Sequence, residues 1–138
     1  MQTYTLHLSN QVTELEKIVA KLEELSETWK IPLKNVMEIN LALEELFTNV
    51  VFYAYDDTET HSIAMEFNLI DEHKIQLRMI DDGKPFNLLE KHTGEVVDQP
   101  LEERAIGGLG IHFVKELIDQ IEYDRSEKNN IVTLTKTF

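Results

Sequence analysis

"SIAMEFNLIDEHKIQLRMI" (Ser62–Ile80) holds two runs of alternating apolar and polar residues on either side of a short polar link. Ile63, Met65, Phe67 and Leu69 alternate with Ala64, Glu66 and Asn68; beyond "DEHK", Ile75, Leu77 and Met79 alternate with Gln76 and Arg78. Successive side chains of a strand point to opposite faces, so each run is a strand with one buried face. The short link makes them an antiparallel hairpin.

Upstream, Tyr4, Leu6 and Leu8 alternate with Thr3, Thr5 and His7, which predicts a half-buried first strand. Ser9 and Asn10 are capping residues for a helix whose apolar stripe is Val12, Leu15, Val19, Leu22 and Trp29, with Ile18 and Leu25 beside it, ending near Ile31-Pro32. Pro32 suits the first turn of a second helix, from Leu33 to about Ala54. At about 100° per residue, Val36, Ile39, Leu43, Leu46, Phe47 and Val50 share one broad face. Glu38, Ala42, Glu45 and Asn49 form a line on the opposite side, from which Glu44 points away.

Downstream, residues 87–106 have no sustained period. A stretch of that kind inside a compact domain is often a functional lid. "GGLG" (Gly107–Gly110) opens a helix with Ile111, Val114, Leu117, Ile118 and Ile121 on one face, and "QIEYDR" and "IVTLTKTF" read as two strands joined around Glu127–Asn130. Consecutive strand pairs and single-striped helices imply an α+β two-layer sandwich: a mostly antiparallel mixed sheet with three helices on one face, not a doubly wound sheet. The 138 residues fit one domain.

A net charge of −13 with no Lys/Arg cluster argues against nucleic acid, whose phosphates such a surface repels. The chain has no cysteine, which excludes disulfides, thiol catalysis and Cys-based metal sites. The N-terminus has no basic-then-apolar leader pattern, and no apolar run reaches the roughly 18 residues of a membrane span. A cytosolic protein without membrane contact is the expectation.

Three segments can carry chemistry. In "EELFTN", Glu45 and Asn49 lie one turn apart on one face; Asn offers a neutral oxygen to a hard cation and Glu can accept a proton, although a solvated helix face gives the same pattern. In "DDGKPF", Asp81 can accept a hydrogen bond from an exocyclic amine and Gly83 leaves backbone bare beside a flat base; a plain Asp-Gly turn is the alternative. In "GGLG", three glycines uncover backbone N–H groups at a helix start, where an anion is favoured, or act as a ligand-free hinge. This is neither the P-loop, which needs Gly-Lys-Ser/Thr, nor a dinucleotide fingerprint, which needs a preceding strand in a βαβ unit. Together, in this order, the segments offer a metal ligand, a base acceptor and a phosphate cradle.

Over nearly its whole length the sequence resembles the GHKL ATPase superfamily and, within it, the stand-alone anti-sigma factor serine kinases of bacterial partner-switching systems. "LALEELFTNVVFYAY" is similar to that family's N-box, "DDGKPF" to its adenine box and "GGLGIHFVKELID" to its glycine box with the following helix. The resemblance implies the Bergerat fold, ATP and Mg²⁺ as cofactors, and a flexible ATP lid at about 87–106. It implies that Asn49 ligates Mg²⁺ and that Glu45 is the general base on an acceptor hydroxyl. Asp81 would bind the adenine amine with Gly83 beside the ring, and Gly107, Gly108, Leu109 and Gly110 would receive the phosphates. Arg104 is a candidate for γ-phosphate contact, or a solvated lid charge.

Two positions depart from the family pattern. Tyr53 stands where a His is frequent, and Asn129-Asn130 where a Gly-Thr pair is, with Asn130 as its substitute near the adenine. The implied function is an ATP-dependent serine-protein kinase and anti-sigma factor, with a sigma factor and an anti-anti-sigma antagonist as partners and a homodimer as assembly. The alternative is an ATP-gated binding regulator without kinase activity. A detached histidine-kinase module would need a helix with a central exposed His, and His7, His61, His73, His92 and His112 do not provide one.

Overall fold

The computed structural model describes residues 2–87, 89 and 110–138. In chain order they form β1 (Gln2–Ser9), a 3-10 turn (Val12–Glu14), α1 (Leu15–Trp29), α2 (Leu33–Tyr53), β2 (Ser62–Asp71), β3 (Lys74–Asp81), α3 (Gly110–Leu117), β4 (Gln120–Ser126) and β5 (Asn129–Thr137). The strands make one sheet in the order β1-β2-β3-β5-β4, and every pairing in it is antiparallel. The segment read as a lid lies outside the described residues, apart from Asn87 and Leu89.

The alternation seen in the sequence sets the faces of the sheet. Phe67 pairs with Leu77 and Met65 with Met79, so both strands of the first hairpin turn their large apolar residues to the same side. Those residues, with Leu8, Ile63, Ile75, Val132 and Leu134, are buried in one core with the helices. The same period carries past the apolar run: Asp81 follows Ile75, Leu77 and Met79 onto the core face, and Asn130 precedes Val132 and Leu134 there. Asp81 is opposite Asn130, and Asn130 is opposite Arg125. Three polar residues thus stand in a row across β3, β5 and β4, at one end of a mostly apolar face whose other end on β5 carries Lys136.

The first helix buries Ile18, Leu22, Leu25 and Trp29. Val12 and Val19, read as part of the stripe, are about 40% exposed. The 3-10 turn at its start has a tighter twist than the helix, so Val12 is rotated off the line that the helical period gives it. Ser9 and Asn10 do not cap this helix. The Glu14 carboxylate accepts from the Ser9 N–H at 2.9 Å and from its hydroxyl at 3.1 Å, while Asn10 Oδ1 accepts from the His61 N–H at 2.8 Å. Lys30 ends α1 in the left-handed conformation (φ 57°), where the Ser26 carbonyl accepts the Ile31 N–H at 2.9 Å.

The second helix corrects the sequence reading. Ala42 and Asn49 are both fully buried, so the Glu38–Ala42–Glu45–Asn49 line is not a solvent face. On the wheel it lies about 120° from the centre of the core stripe, on the flank of the helix rather than opposite the core. Helix α3 packs on that flank, placing Gly110 against Glu45. The exposed side of α2 is instead marked by Leu33, Met37, Leu41 and Phe52. Lys136, at the end of β5, ties the two helices together: its ammonium donates to the Leu117 carbonyl at the end of α3 and lies 3.4 Å from the Glu38 carboxylate of α2. Among the described residues no helix is long and apolar enough to cross a membrane.

Candidate functional site

One end of the site is the polar row where β3, β5 and β4 stop. Asp81 is 3% exposed. Its Oδ1 accepts from the Gly83 N–H and from Asn130 Nδ2, both at 2.9 Å. Burial pushes the Asp81 carboxyl above its ordinary value, against the pull of those two bonds. Both bonds fall on one oxygen, so among the described residues Oδ2 is left for an incoming donor. Asn130 is fully employed: it also donates to the Lys84 carbonyl at 2.8 Å, and its oxygen accepts from the Phe86 N–H at 3.2 Å and the Tyr123 hydroxyl at 2.5 Å. It therefore braces Asp81 and the turn from behind, rather than offering a free group to a ligand.

The turn is locked to α2. A Cβ on Gly83 would lie 2.5 Å from the Ala54 carbonyl oxygen and 2.7 Å from the Ala54 Cβ. The Lys84 N–H donates to that carbonyl at 2.9 Å, and the Arg125 guanidinium donates to the Gly83 carbonyl at 2.8 Å. Glycine is required here by the protein's own packing, a reason the sequence did not reveal. Tyr53 packs its ring 6.0 Å from that of Phe86. Tyr55 stacks on His61 at 4.0 Å and its hydroxyl reaches Asp82 at 3.2 Å; burial, then the charges of Asp81 and Asp82, push that hydroxyl's pKa upward.

The other end lies on the same helix. Asn49 donates its amide to the Glu45 carbonyl at 2.7 Å and to Glu45 Oε1 at 3.3 Å. These bonds orient the carboxamide, and its Oδ1 is buried with no hydrogen-bond partner among the described residues. Burying an unsatisfied carbonyl oxygen costs about 1–3 kcal/mol. A neutral oxygen, held by its own amide and left without a donor, is suited to a hard divalent cation. Gly110 lies against Glu45 so closely that any side chain there would strike the carboxylate.

The structure thus brings Glu45, Asn49 and Gly110 together, and Asp81, Gly83 and Asn130 together. Ala54, the residue that caps the C-terminal end of α2, follows Asn49 by five positions, or about 7.5 Å along the helix axis. A single rigid helix therefore sets the spacing of the two groups. Arg104, Gly107, Gly108 and Leu109 lie outside the described residues. Sequence reasoning missed Ala54, Tyr123 and Arg125. For Arg125 a signal existed: the hairpin turns through Glu127 and Lys128 alone, with Glu127 at φ 52°, which sets Arg125 opposite Asn130.

Residues 8–136 match the family described as the histidine kinase-like ATPase domain. The chain is 28% identical over 92 residues to the serine-protein kinase RsbW of Oceanobacillus iheyensis, covering 64% of this chain and 58% of that protein. It is 31% identical over 101 residues to the RsbW of Listeria monocytogenes, covering 70% of this chain and 63% of the relative. The match thus spans about three fifths of the length of these relatives. The fold is similar to that of a Mycobacterium tuberculosis protein with RsbU and RsbW domains (TM-score 0.69, 15% identity, 99% of this chain and 32% of that one). It is also similar to the histidine kinase domain of a blue-light activated kinase of Erythrobacter litoralis (TM-score 0.57, 14% identity, 91% and 59%).

Proposed function

The chain belongs to the histidine kinase-like ATPase domain family, and we propose that it is an ATP-dependent serine-protein kinase and anti-sigma factor of a bacterial partner-switching system. The observation that carries this reading is the pairing of a buried Asn49 oxygen, without a hydrogen-bond partner among the described residues, with the Glu45 carboxylate one turn earlier on the same helix. The names of the relatives support the kinase assignment.

In this reading Asp81 accepts the adenine amine on Oδ2, while Gly83, Asn130 and Arg125 hold it and its turn still. Asn49 holds Mg²⁺ through Oδ1, and the ion, when bound, neutralises charge on the phosphates. The phosphates are assigned to Gly107, Gly108, Leu109 and Gly110, and contact with the γ-phosphate to Arg104. The hydroxyl oxygen of a Ser or Thr on the antagonist attacks the γ-phosphorus, the bond to the bridging oxygen breaks, and ADP leaves. Glu45 orients that hydroxyl and takes its proton. Most of the rate acceleration comes from positioning and charge stabilisation. The protein acts in the cytoplasm as a homodimer, holding a sigma factor or its antagonist according to the antagonist's phosphorylation.

The test is incubation with Mg-ATP and the cognate antagonist, followed by measurement of phosphate on the antagonist. Glu45→Gln removes the proton acceptor and keeps the shape, so transfer falls by about 10²–10⁴-fold while ATP still binds. Transfer undiminished in Glu45→Gln contradicts the role given to Glu45. ATP binding with no transfer by the unaltered protein identifies a nucleotide-gated regulator instead.

A further inference from the structure

Next to Glu45, helices α2 and α3 leave a groove of about 360 Å³ whose lining includes Leu41, Glu44, Glu45, Phe113 and Leu117. Its rim is apolar where a soluble surface is normally polar: Leu41 is 58% exposed and Phe113 63%. Scattered exposed apolar residues need no explanation, but two that flank one groove, with a carboxylate at its edge, mark an interaction surface. Glu44 is exposed on the rim and makes no ion pair among the described residues. It stands in a chain of net charge −13, which attracts basic partners.

We infer that this groove is where the protein substrate lays the segment carrying its phosphoacceptor hydroxyl, with an apolar side chain of that segment between Leu41 and Phe113 and a Lys or Arg beside Glu44. The inference rests on the kinase reading above. The occupant follows from Glu45, which belongs both to the groove lining and to the pair with Asn49. A chain segment lying in the groove has its hydroxyl within reach of the one carboxylate suited to take its proton. The apolar rim then selects the residue next to the acceptor, and Glu44 sets the sign of charge that follows it. Phe113 becomes buried only when an occupant covers it, and truncating an aromatic side chain that binding buries weakens recognition.

The test uses the full chain with Mg-ATP and a library of synthetic serine peptides randomised on both sides of the serine, with nucleotide affinity measured separately by calorimetry. Phosphorylated peptides are expected to be enriched in a large apolar residue near the serine and in Lys or Arg. Phe113→Ser and Leu41→Ser are expected to raise KM for the best peptide about tenfold, with kcat and ATP affinity little changed, and Phe113→Leu to restore KM. Glu44→Lys should remove the preference for basic residues. Both apolar side chains are exposed, so their replacement leaves the core intact. If peptides are phosphorylated with the same KM and the same selection by all these variants, the inference is wrong and the kinase reading stands. If Phe113→Ser instead splits a dimer into monomers, the groove is a contact between two copies and the inference is overturned. If ATP binds and the unaltered protein phosphorylates neither any peptide nor a folded antagonist, the kinase reading fails and takes the inference with it.

Discussion

The two ends of the site are built on opposite principles. At the Asp81 end the supporting groups are paired: Asn130 makes hydrogen bonds to four neighbours, Arg125 and Ala54 hold the Gly83–Lys84 backbone, and Asp81 Oδ1 receives two donors. At the Asn49 end a buried oxygen is left without a hydrogen-bond partner among the described residues. A saturated network fixes an acceptor in place before the ligand arrives, which suits recognition of a rigid base. An orphaned oxygen holds unfavourable desolvation that a cation can relieve, which suits a site completed only when metal and phosphates bind. Helix α2 belongs to both ends, so filling one leaves the spacing of the other unchanged.

The sharpest way to break this contrast is at Asp81. In Asp81→Asn the retained oxygen can still accept from Gly83 and Asn130, but an NH₂ replaces the oxygen facing the ligand. A donor then meets a donor, and ATP affinity is expected to fall about 10–100-fold by calorimetry. The unliganded protein should move the other way. Because the Asp81 carboxyl has a raised pKa in the folded state, its contribution to stability is full below the unfolded pKa and is lost as pH rises through the folded one. Urea titrations at neutral pH should therefore find Asp81→Asn at least as stable as the unaltered chain, with the pH dependence from this group gone. Conversely, ATP affinity of the unaltered protein should start to weaken on acidification above the usual carboxylate range, as Asp81 takes up a proton.

Gly83→Ala attacks the lock rather than the acceptor. Its new methyl would meet the Ala54 carbonyl, and backbone cannot swing aside as a side chain can. A loss of about 1–3 kcal/mol in unfolding free energy is expected, with ATP affinity falling alongside; unchanged stability would show that the turn is not clamped on α2. The smallest effect is a control far from both ends. Lys30 sits in the left-handed region at the end of α1, so Lys30→Gly should stabilise the fold by about 0.5–1 kcal/mol and leave nucleotide binding alone.

Much of this architecture was legible in the sequence because its strands alternate cleanly. Ile75, Leu77 and Met79 announce their face, and Asp81 inherits it by the same count. The three segments that resemble a known family supplied the site residues. What stayed hidden depends on a third element. The wheel gives the angle of Asn49 but not what covers it, and α3 turned an apparent solvent face into a buried one. Arg125 acts on a backbone carbonyl, so no pairing of charges points to it, and only the two-residue turn between β4 and β5 sets it opposite Asn130. The bare backbone of Gly83 looked like room for a ligand and is occupied by Ala54.

If Asn49 serves the cation and Asp81 the base, calorimetric titration of ATP with and without Mg²⁺ must separate the two residues. The unaltered protein should bind ATP more tightly with Mg²⁺. In Asn49→Ala that gain should vanish, while the unliganded protein, relieved of a buried orphan oxygen, folds as stably as before. In Asp81→Asn affinity should drop by the same factor with and without the ion. A Mg²⁺ gain of full size in Asn49→Ala would mean that Asn49 does not hold the ion.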